Sequence, residues 1–267
     1  MGRAVAHGRT RVHAFSDPTA LSLLPPDDRA RVERLRAGTQ PSSVRERIER
    51  PLLALHAKLT VARTVAIDDA VRDAAAPQLV ILGAGLDGRA WRMPELRDVT
   101  VYEVDHPDSQ RVKRQRASAL SPVAHAIHFV PVDFERDRLD AALAAAGHDP
   151  ARPTTWIWEG VVMYLTRHDI EATLDVIARC SCARSRLVVL YLGPSRLIRM
   201  LVGLSGRIVG EPLVSWFAAG ELCALLERFG FAVTRDEALP AIAQRLSDDI
   251  RGVRWAVEQQ RIAIADR

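Results

Sequence analysis

Two short segments of the chain carry glycines and carboxylates at a spacing that suits an adenosine-containing cofactor. Gly83, Gly85 and Gly88 follow a short apolar run, and about twenty residues later Glu103 and Asp105 end a second apolar run. Glycines at a strand-to-helix turn let the backbone approach a ligand closely, and either carboxylate could accept hydrogen bonds from both ribose hydroxyls. The same layout serves hydride transfer with a nicotinamide dinucleotide and methyl transfer with S-adenosylmethionine.

Asp87 lies inside the glycine loop and bears on the choice between these cofactors. The pyrophosphate of a dinucleotide binds bare amides at a positive helix N-terminus, so a carboxylate there would repel it. Arg89 could offset part of this charge. S-adenosylmethionine has no phosphate, and its sulfonium and ammonium groups are cationic, so the acid favours it. Asp87 could instead cap the following helix, which is compatible with either cofactor.

Polar and aromatic side chains also follow the next two apolar runs. Asp133 and Phe134 end one of them, and Glu159 ends the other, with Tyr164 about a helical turn beyond. A carboxylate can accept from the exocyclic amine of adenine, and an aromatic ring can border the base. We therefore expect these residues to belong to one site, with Tyr164 on its substrate side.

These motifs together resemble the leucine carboxyl methyltransferase family of class I S-adenosylmethionine-dependent methyltransferases. The similarity is closest to bacterial members that include small-molecule O-methyltransferases and polyketide-tailoring enzymes. It covers most of the chain and is strongest between residues 60 and 165. The segments that carry it are 15–20, 62–64, 67–69, 81–89, 103–107, 132–134 and 159–165.

The resemblance implies which residues hold the amino-acid end of the cofactor. Arg63 would pair with its carboxylate, and Glu159 would meet the same end of the molecule. Gly83 and Gly85 would bring the backbone close to it, with Asp87 in the same loop.

For the adenosine end, the resemblance implies that Asp105 holds the ribose and that Asp133 and Phe134 hold the adenine. Two positions depart from the family pattern. Gly88 stands where a threonine is usual, which loosens the helix start and creates the match to the dinucleotide spacing. Phe134 stands where leucine is common. The family's specificity for the leucine carboxylate of a phosphatase tail is not implied.

After Pro77 the hydropathy pattern predicts strands that alternate with helices. This order predicts an α/β, Rossmann-like fold with helices on both faces of a mostly parallel sheet, which the resemblance extends to seven strands in the order 3-2-1-4-5-7-6. Strands are predicted at 79–82, 99–104, 127–132, 154–158, 186–192, 231–235 and from Arg261 onward. Helices are predicted near 88–93, 107–119, 137–146, 167–181, 217–229, 240–251 and 253–260.

We expect two parts in the chain. Residues 1–76 contain no strand pattern and are predicted to form a helical cap or substrate region. Residues 77–267 are predicted to form the cofactor-binding core, with 193–216 as an insert that could lie over the pocket or serve as ordinary packing.

Composition excludes several classes of protein. The 267 residues carry a net charge of +4, but the arginines are scattered and form no basic stripe, so we expect no nucleic-acid partner. Cys180, Cys182 and Cys223 have neither disulfide-framework nor zinc-site spacing, and we expect no metal. No apolar run approaches membrane-span length, and no signal-peptide pattern is found, so we expect a cytoplasmic protein without a membrane partner.

The sequence thus predicts an S-adenosylmethionine-dependent O-methyltransferase that acts on a carboxylate or phenol of a small molecule, for example in secondary metabolism. Tyr164 and Arg63 are the residues expected to orient the acceptor. One alternative is an NAD(P)-dependent oxidoreductase, but neither Lys58 nor Lys113, the only lysines, stands four residues after a tyrosine. Another is a relative that binds the cofactor without catalysis. The pattern predicts neither the acceptor nor the oligomeric state.

Overall fold

A computed structural model describes residues 1–41, 43–134, 136–194, 213–247 and 260–267. Most of the predicted insert at 193–216 and the helix predicted at 253–260 lie outside the described residues.

Seven strands form one sheet in the order β3-β2-β1-β4-β5-β7-β6, which confirms the predicted order. Strands β1 to β5 pair in parallel, and β7 runs antiparallel to both β5 and β6. The strands are β1 Gln78–Leu82, β2 Thr100–Asp105, β3 Ala126–Pro131, β4 Thr154–Trp158, β5 Arg186–Leu192, β6 Ala232–Ala238 and β7 Gln260–Asp266.

Helices connect and cover these strands. Short 3₁₀ helices at Pro94–Leu96 and Val162–Tyr164 supplement them. The α-helices are α1 Gly2–Ala6, α2 Pro26–Arg36, α3 Val44–Ala74, α4 Arg89–Arg92, α5 Pro107–Ala117, α6 Leu139–Ala145, α7 Arg167–Arg179, α8 Ala219–Arg228 and α9 Leu239–Leu246. The first part of the helix predicted at 240–251 corresponds to α9, and its residues 248–251 lie outside the described residues.

Helix α3 is one continuous element of 31 residues. The side chain of Ser43 caps its first turn by accepting from the Glu46 N–H, and Pro51 lies inside it. Its C-terminal half packs in the same apolar cluster as residues of β1, β5 and β7, through side chains such as Val65 and Ile67. Helix α3 and the sheet thus share one apolar cluster across residue 76. The division of the chain at this residue stays a prediction.

Alternation along the strands divides the core between the two faces of the sheet. Leu79 and Ile81 face the α3 side, whereas Val80 and Leu82 face the opposite side with Trp156 and Trp158 of β4. Because all five residues of β1 are buried, the sheet is covered on both faces at its centre. In open α/β sheets of this kind, ligands bind at the carboxyl edge of the parallel strands.

None of the helices in the described ranges is long and apolar enough to cross a membrane.

Candidate functional site

The loop after β1 approaches the loop after β4 so closely that it requires glycine. Gly83 has φ +66° and Gly85 has φ +45°, in the left-handed region that L side chains rarely adopt. A Cβ at Gly83 would overlap Cγ2 of Val161, in the loop that follows β4. The glycines therefore bring the carboxyl ends of β1 and β4 together, at the topological switch point of the sheet.

Gly88 serves a different purpose. It has no positive φ, but a Cβ there would overlap the hydroxyl of Thr19 and lie 3.4 Å from Oδ1 of Asp17. The N-terminal segment thus lies against the loop at this position. This contact gives a packing reason for glycine where the family pattern has threonine, and it has nothing to do with a pyrophosphate.

Asp105 lies at the end of β2, next to the glycine loop. Its Oδ2 accepts from the Gly85 N–H at 2.5 Å, and its Oδ1 accepts from the His106 N–H at 2.7 Å. An ionised carboxylate has about four acceptor sites, so acceptor capacity remains for ligand hydroxyls. The structure thus joins two of the predicted cofactor residues directly.

Glu103, the other acid of β2, does not reach this loop. Its side chain is fully buried, and its Oε2 lies 2.6 Å from Nζ of Lys113 in α5. Burial raises the pKa of the Glu103 carboxyl to about 7, although Lys113 opposes that rise. Because α5 covers this position, Asp105 alone of the two acids faces the glycine loop.

Asp87 turns toward Arg89. Its Oδ1 accepts from the Arg89 N–H at 2.8 Å, and its Oδ2 pairs with the Arg89 guanidinium. Burial by itself would raise the pKa of the Asp87 carboxyl, but Arg89 more than offsets this and lowers it well below its usual range. Asp87 thus accepts from the first N–H of α4, from the position before the N-cap residue Gly88.

Arg89 binds three carboxylates that come from three parts of the chain. Its side chain is completely buried, with Nε 2.8 Å from Oδ1 of Asp68 and Nη1 3.1 Å from Oε2 of Glu159, in addition to the Asp87 contact. Burial would lower the pKa of the guanidinium, but the three carboxylates raise it well above its usual value. The glycine loop, α3 and the end of β4 are therefore held by one cation.

Glu159 also pairs with Arg63. Nε of Arg63 lies 2.7 Å from Oε1 of Glu159, and the two side chains are 20% and 10% exposed. Burial would raise the pKa of the Glu159 carboxyl, but Arg63 and Arg89 lower it below its usual value. The structure therefore brings together the two residues predicted to meet the amino-acid end of the cofactor.

The remaining predicted residues follow the carboxyl ends of β3 and β4. The Asp133 N–H donates to Asp137 at 2.9 Å, and Phe134 is 47% exposed. Tyr164 ends the 3₁₀ helix after β4 and is 40% exposed. Their roles toward adenine and acceptor stay predictions.

A chain of ion pairs extends from Arg89 to the N-terminal segment. The sequence predicted no role for the other residues of this chain. Asp68 also binds Arg92, with Nη1 to Oδ2 at 2.7 Å. Asp17 pairs with Arg3 at 3.1 Å, and Arg3 donates to the carbonyl of Leu86 in the glycine loop at 2.6 Å. A charged residue inside an otherwise apolar segment is the sequence signal for such pairs, because a buried charge requires a partner of opposite charge.

Within the part of the chain that the structure describes, no cluster of three or more His, Cys, Asp or Glu side chains could hold a metal ion.

Comparison with known proteins places these features in one family. The model of the leucine carboxyl methyltransferase family matches residues 1–178. A Frankia alni protein, provisionally named an S-adenosyl-L-methionine-dependent methyltransferase, is 35% identical over 198 residues, 69% of this chain and 66% of its own length. A Streptomyces coelicolor protein with the same provisional name is 38% identical over 160 residues, 58% of this chain and 55% of its own length. The chain thus spans about half to two thirds of these curated relatives.

Solved structures share the fold. A DUF574 family protein from Streptomyces avermitilis superposes with a TM-score of 0.57 at 14% identity, covering 96% of this chain and 100% of its own. Magnesium protoporphyrin IX methyltransferase from Synechocystis, solved with bound SAH, superposes with a TM-score of 0.52 at 15% identity, covering 91% and 95%. The chain therefore has the class I methyltransferase fold.

A first prediction concerns the close approach at Gly83. Gly83→Ala adds a Cβ at positive φ and against Val161, whereas Gly38→Ala adds one at φ +70° with nothing within 4 Å. Backbone strain at positive φ costs about 1–2 kcal/mol and applies to both variants. The overlap with Val161 arises only in Gly83→Ala, which should therefore lower the free energy of unfolding by more than Gly38→Ala. Urea denaturation measures both, and Val161→Ala should recover part of the excess in a double-mutant cycle. Equal losses at the two glycines would contradict the close approach.

A second prediction concerns Arg89. Arg89→Met leaves three buried carboxylates without their shared cation, and we expect a loss of about 3–5 kcal/mol in the free energy of unfolding. The matched control is Arg179→Met, since Arg179 bridges Asp140 and Asp175 on the surface at 2.9 and 3.0 Å. Arg179 and Asp175 are 52% and 58% exposed, so water screens their charges and the control should change stability little. Equal effects would show that Arg89 is not the buried hub.

A third prediction follows from the lowered pKa values of Asp68, Asp87 and Glu159. Carboxyls with a lowered pKa in the folded state stabilise it fully above their unfolded pKa of about 4, and this stability disappears as pH falls further. The free energy of unfolding should therefore fall steeply below about pH 4. Asp87→Asn should reduce that slope, and Asp108→Asn, at an exposed carboxylate of α5, is the control. An unchanged slope in Asp87→Asn would refute the assignment.

Proposed function

The chain belongs to the leucine carboxyl methyltransferase family, and from this premise we propose that it is an S-adenosyl-L-methionine-dependent O-methyltransferase. The acceptor is a small molecule with a carboxylate or a phenol, as in secondary metabolism. Since the chain spans only part of its curated relatives, the activity, the cofactor and the substrate class all belong to this proposal.

The observation that carries the proposal is the pair formed by Arg63 and Glu159 beside Gly83. The amino-acid end of S-adenosyl-L-methionine is a zwitterion, which needs a cation for its carboxylate and an anion for its ammonium. Nε of Arg63, in α3, and Oε1 of Glu159, at the end of β4, lie 2.7 Å apart, and the two side chains as a whole are partly accessible. Arginine suits a carboxylate because its planar guanidinium can donate two parallel hydrogen bonds.

The adenosine end of the cofactor fits the neighbouring strand ends. Asp105 is already fixed by two backbone N–H groups and would accept from the ribose hydroxyls. Asp133 and Phe134 follow β3, the next strand outward, where they would border the adenine. The cofactor would then lie across the strand ends in the order β3-β2-β1-β4, from its base to its amino acid.

A dinucleotide fits this loop less well. Arg89, the cation that could have attracted a pyrophosphate, is buried and bound to three carboxylates. Helix α4 has only four residues, so few aligned peptide dipoles contribute to a positive end. These features favour a cofactor without phosphate.

S-adenosyl-L-methionine supplies an electrophilic sulfonium methyl group, so the protein has mainly to position an acceptor oxygen in line with it and exclude water. Arg63 and Tyr164 are the residues we propose for orienting the acceptor. A carboxylate acceptor is ionised at neutral pH and needs no general base, whereas a phenol with a pKa near 10 would benefit from one. His148 cannot serve, because it hydrogen-bonds Thr154 at the opposite end of β4.

Residues 1–76 would shape the acceptor side of the site, since Arg63 comes from α3 and Asp17 and Thr19 lie against the glycine loop. The proposed lid at 193–216 lies mostly outside the described residues.

Calorimetric titration with S-adenosylhomocysteine, S-adenosyl-L-methionine and NADH tests the proposal. Hydrogen bonds to charged groups contribute about 1.5–3 kcal/mol, so Glu159→Gln and Asp105→Asn should each weaken S-adenosylhomocysteine binding about ten- to a hundredfold. Asp108→Asn, three residues beyond Asp105 and exposed, should bind like the wild type. Circular dichroism verifies that each variant is folded.

Tight binding of NADH without S-adenosylhomocysteine would overturn the proposal. Transfer of labelled methyl from S-adenosyl-L-methionine to a panel of carboxylic acids and phenols tests the chemistry. Cofactor binding with methyl transfer only to amines or thiols would contradict the O-methyltransferase assignment.

A further inference from the structure

A cavity lies at the amino edge of the sheet, opposite the candidate site. Its volume is about 240 Å³, and it lies between the last turn of α3 and the first residues of β1 and β4. Thr155, which lines it, is the second residue of β4, whereas Glu159 follows the last. Four residues of a strand span about 13 Å, so a molecule in this cavity would not reach the proposed cofactor site.

Small side chains at a tight turn create this space. Helix α3 ends at Ala74, and Ala75 has φ +46°, in the left-handed region, before the chain enters β1. Ala75 and Ala76 both line the cavity, so only methyl groups project from the turn that joins helix and strand. All the lining residues belong to the described ranges.

The walls of the cavity are mostly apolar. Val71, Leu79 and Leu96 are 6%, 1% and 1% exposed, and Val99 is half-buried. Ligand pockets typically combine such walls with a few placed polar groups. Apolar cavities of about 150 Å³ in other proteins admit benzene, so this one can hold a substituted six-membered ring.

One hydroxyl in the lining is buried and unpaired. Thr155 lies opposite Leu79 in the neighbouring strand, and Leu79 faces α3, so Thr155 faces the same side. Oγ1 of Thr155 has no hydrogen-bond partner among the described residues. Because an unpaired buried hydroxyl is unfavourable, a ligand that pairs with it is favoured. A ligand hydroxyl suits this group best, since each can both donate and accept.

The charged residues of the lining are already paired. Nε of Arg72 lies 2.6 Å from Oε1 of Glu95, and both residues line the cavity. Nη1 of Arg72 lies 2.6 Å from Oδ1 of Asp69, so one cation already has two carboxylates. An anionic ligand would add a third negative charge beside them. The lining therefore favours a neutral molecule.

We propose that this cavity is a second binding site, for a small neutral molecule with an apolar body of about one ring and a single hydroxyl that pairs with Thr155. The distance from Glu159 excludes this molecule as the methyl acceptor. The inference goes beyond the proposed function and does not depend on it.

Benzyl alcohol, toluene and benzoate test the site, because they share one ring and differ in a single group. In methyl NMR titrations, benzyl alcohol and toluene should shift the signals of Leu79 and Leu96 but not those of Leu192, at the other end of β5. Benzoate should shift none of them. One hydrogen bond changes affinity about two- to tenfold, so Thr155→Val should weaken benzyl alcohol by that factor and leave toluene unchanged.

Thr64→Val is the matched control. Thr64 is also a buried threonine whose hydroxyl has no partner among the described residues, but it does not line the cavity. This variant should bind the three compounds like the wild type. Thr155→Ser keeps the hydroxyl and should retain the benzyl alcohol affinity that Thr155→Val loses. Circular dichroism verifies that each variant is folded.

Absence of shifts at Leu79 and Leu96 with both neutral compounds would overturn the inference, because water alone would then occupy the cavity. Equal weakening of benzyl alcohol and toluene in Thr155→Val would also overturn it, as would equal weakening of benzyl alcohol in Thr64→Val. Benzoate binding as tight as that of benzyl alcohol would contradict a neutral ligand. If Thr155→Val does not fold, the wild-type titrations and Thr155→Ser decide the outcome.

Discussion

The burial of Arg89 is the constraint on which the rest of the site depends. A guanidinium removed from water is stable only if carboxylates surround it, and Asp68, Asp87 and Glu159 converge on it from α3, the glycine loop and the end of β4. These elements are distant in the chain, so the cation determines how they meet. The value of such a cluster lies less in net stability than in fixing one arrangement of the three elements.

Glu159 shows how this constraint serves a ligand. One of its oxygens contacts Arg89, whose side chain is fully buried, and the other contacts Arg63, which is partly accessible. The first contact holds the carboxylate in place and keeps it ionised. In the proposed function, the second contact would be exchanged for a ligand ammonium while Arg63 pairs with the ligand carboxylate. Structural and binding functions would thus be divided between the two oxygens of one side chain.

The fold could be predicted from the sequence because its signals are local. Each strand begins within one residue of its predicted start, and the alternation of strands and helices determines a parallel sheet. The glycine loop and Asp105 could be placed for the same reason. The orientation of Glu103 could not be predicted, because it depends on which helix packs over the end of β2. The ion pairs of Arg89 could not be predicted either, because they join residues as many as seventy positions apart.

The position of Arg63 within α3 links the two halves of the proposed site. The residues of α3 that follow Arg63 pack on the sheet, and Asp68 among them belongs to the ionic cluster. This part of the helix therefore cannot move independently of the sheet. The residues of α3 that precede Arg63 pack instead against α1 and α2, through contacts such as Gly2 with Thr60 and Arg31 with Glu49. Contacts on both halves of α3 therefore hold Arg63 in place beside Glu159. In the proposed function, the same ionic cluster would therefore also determine where the amino-acid end of the cofactor lies.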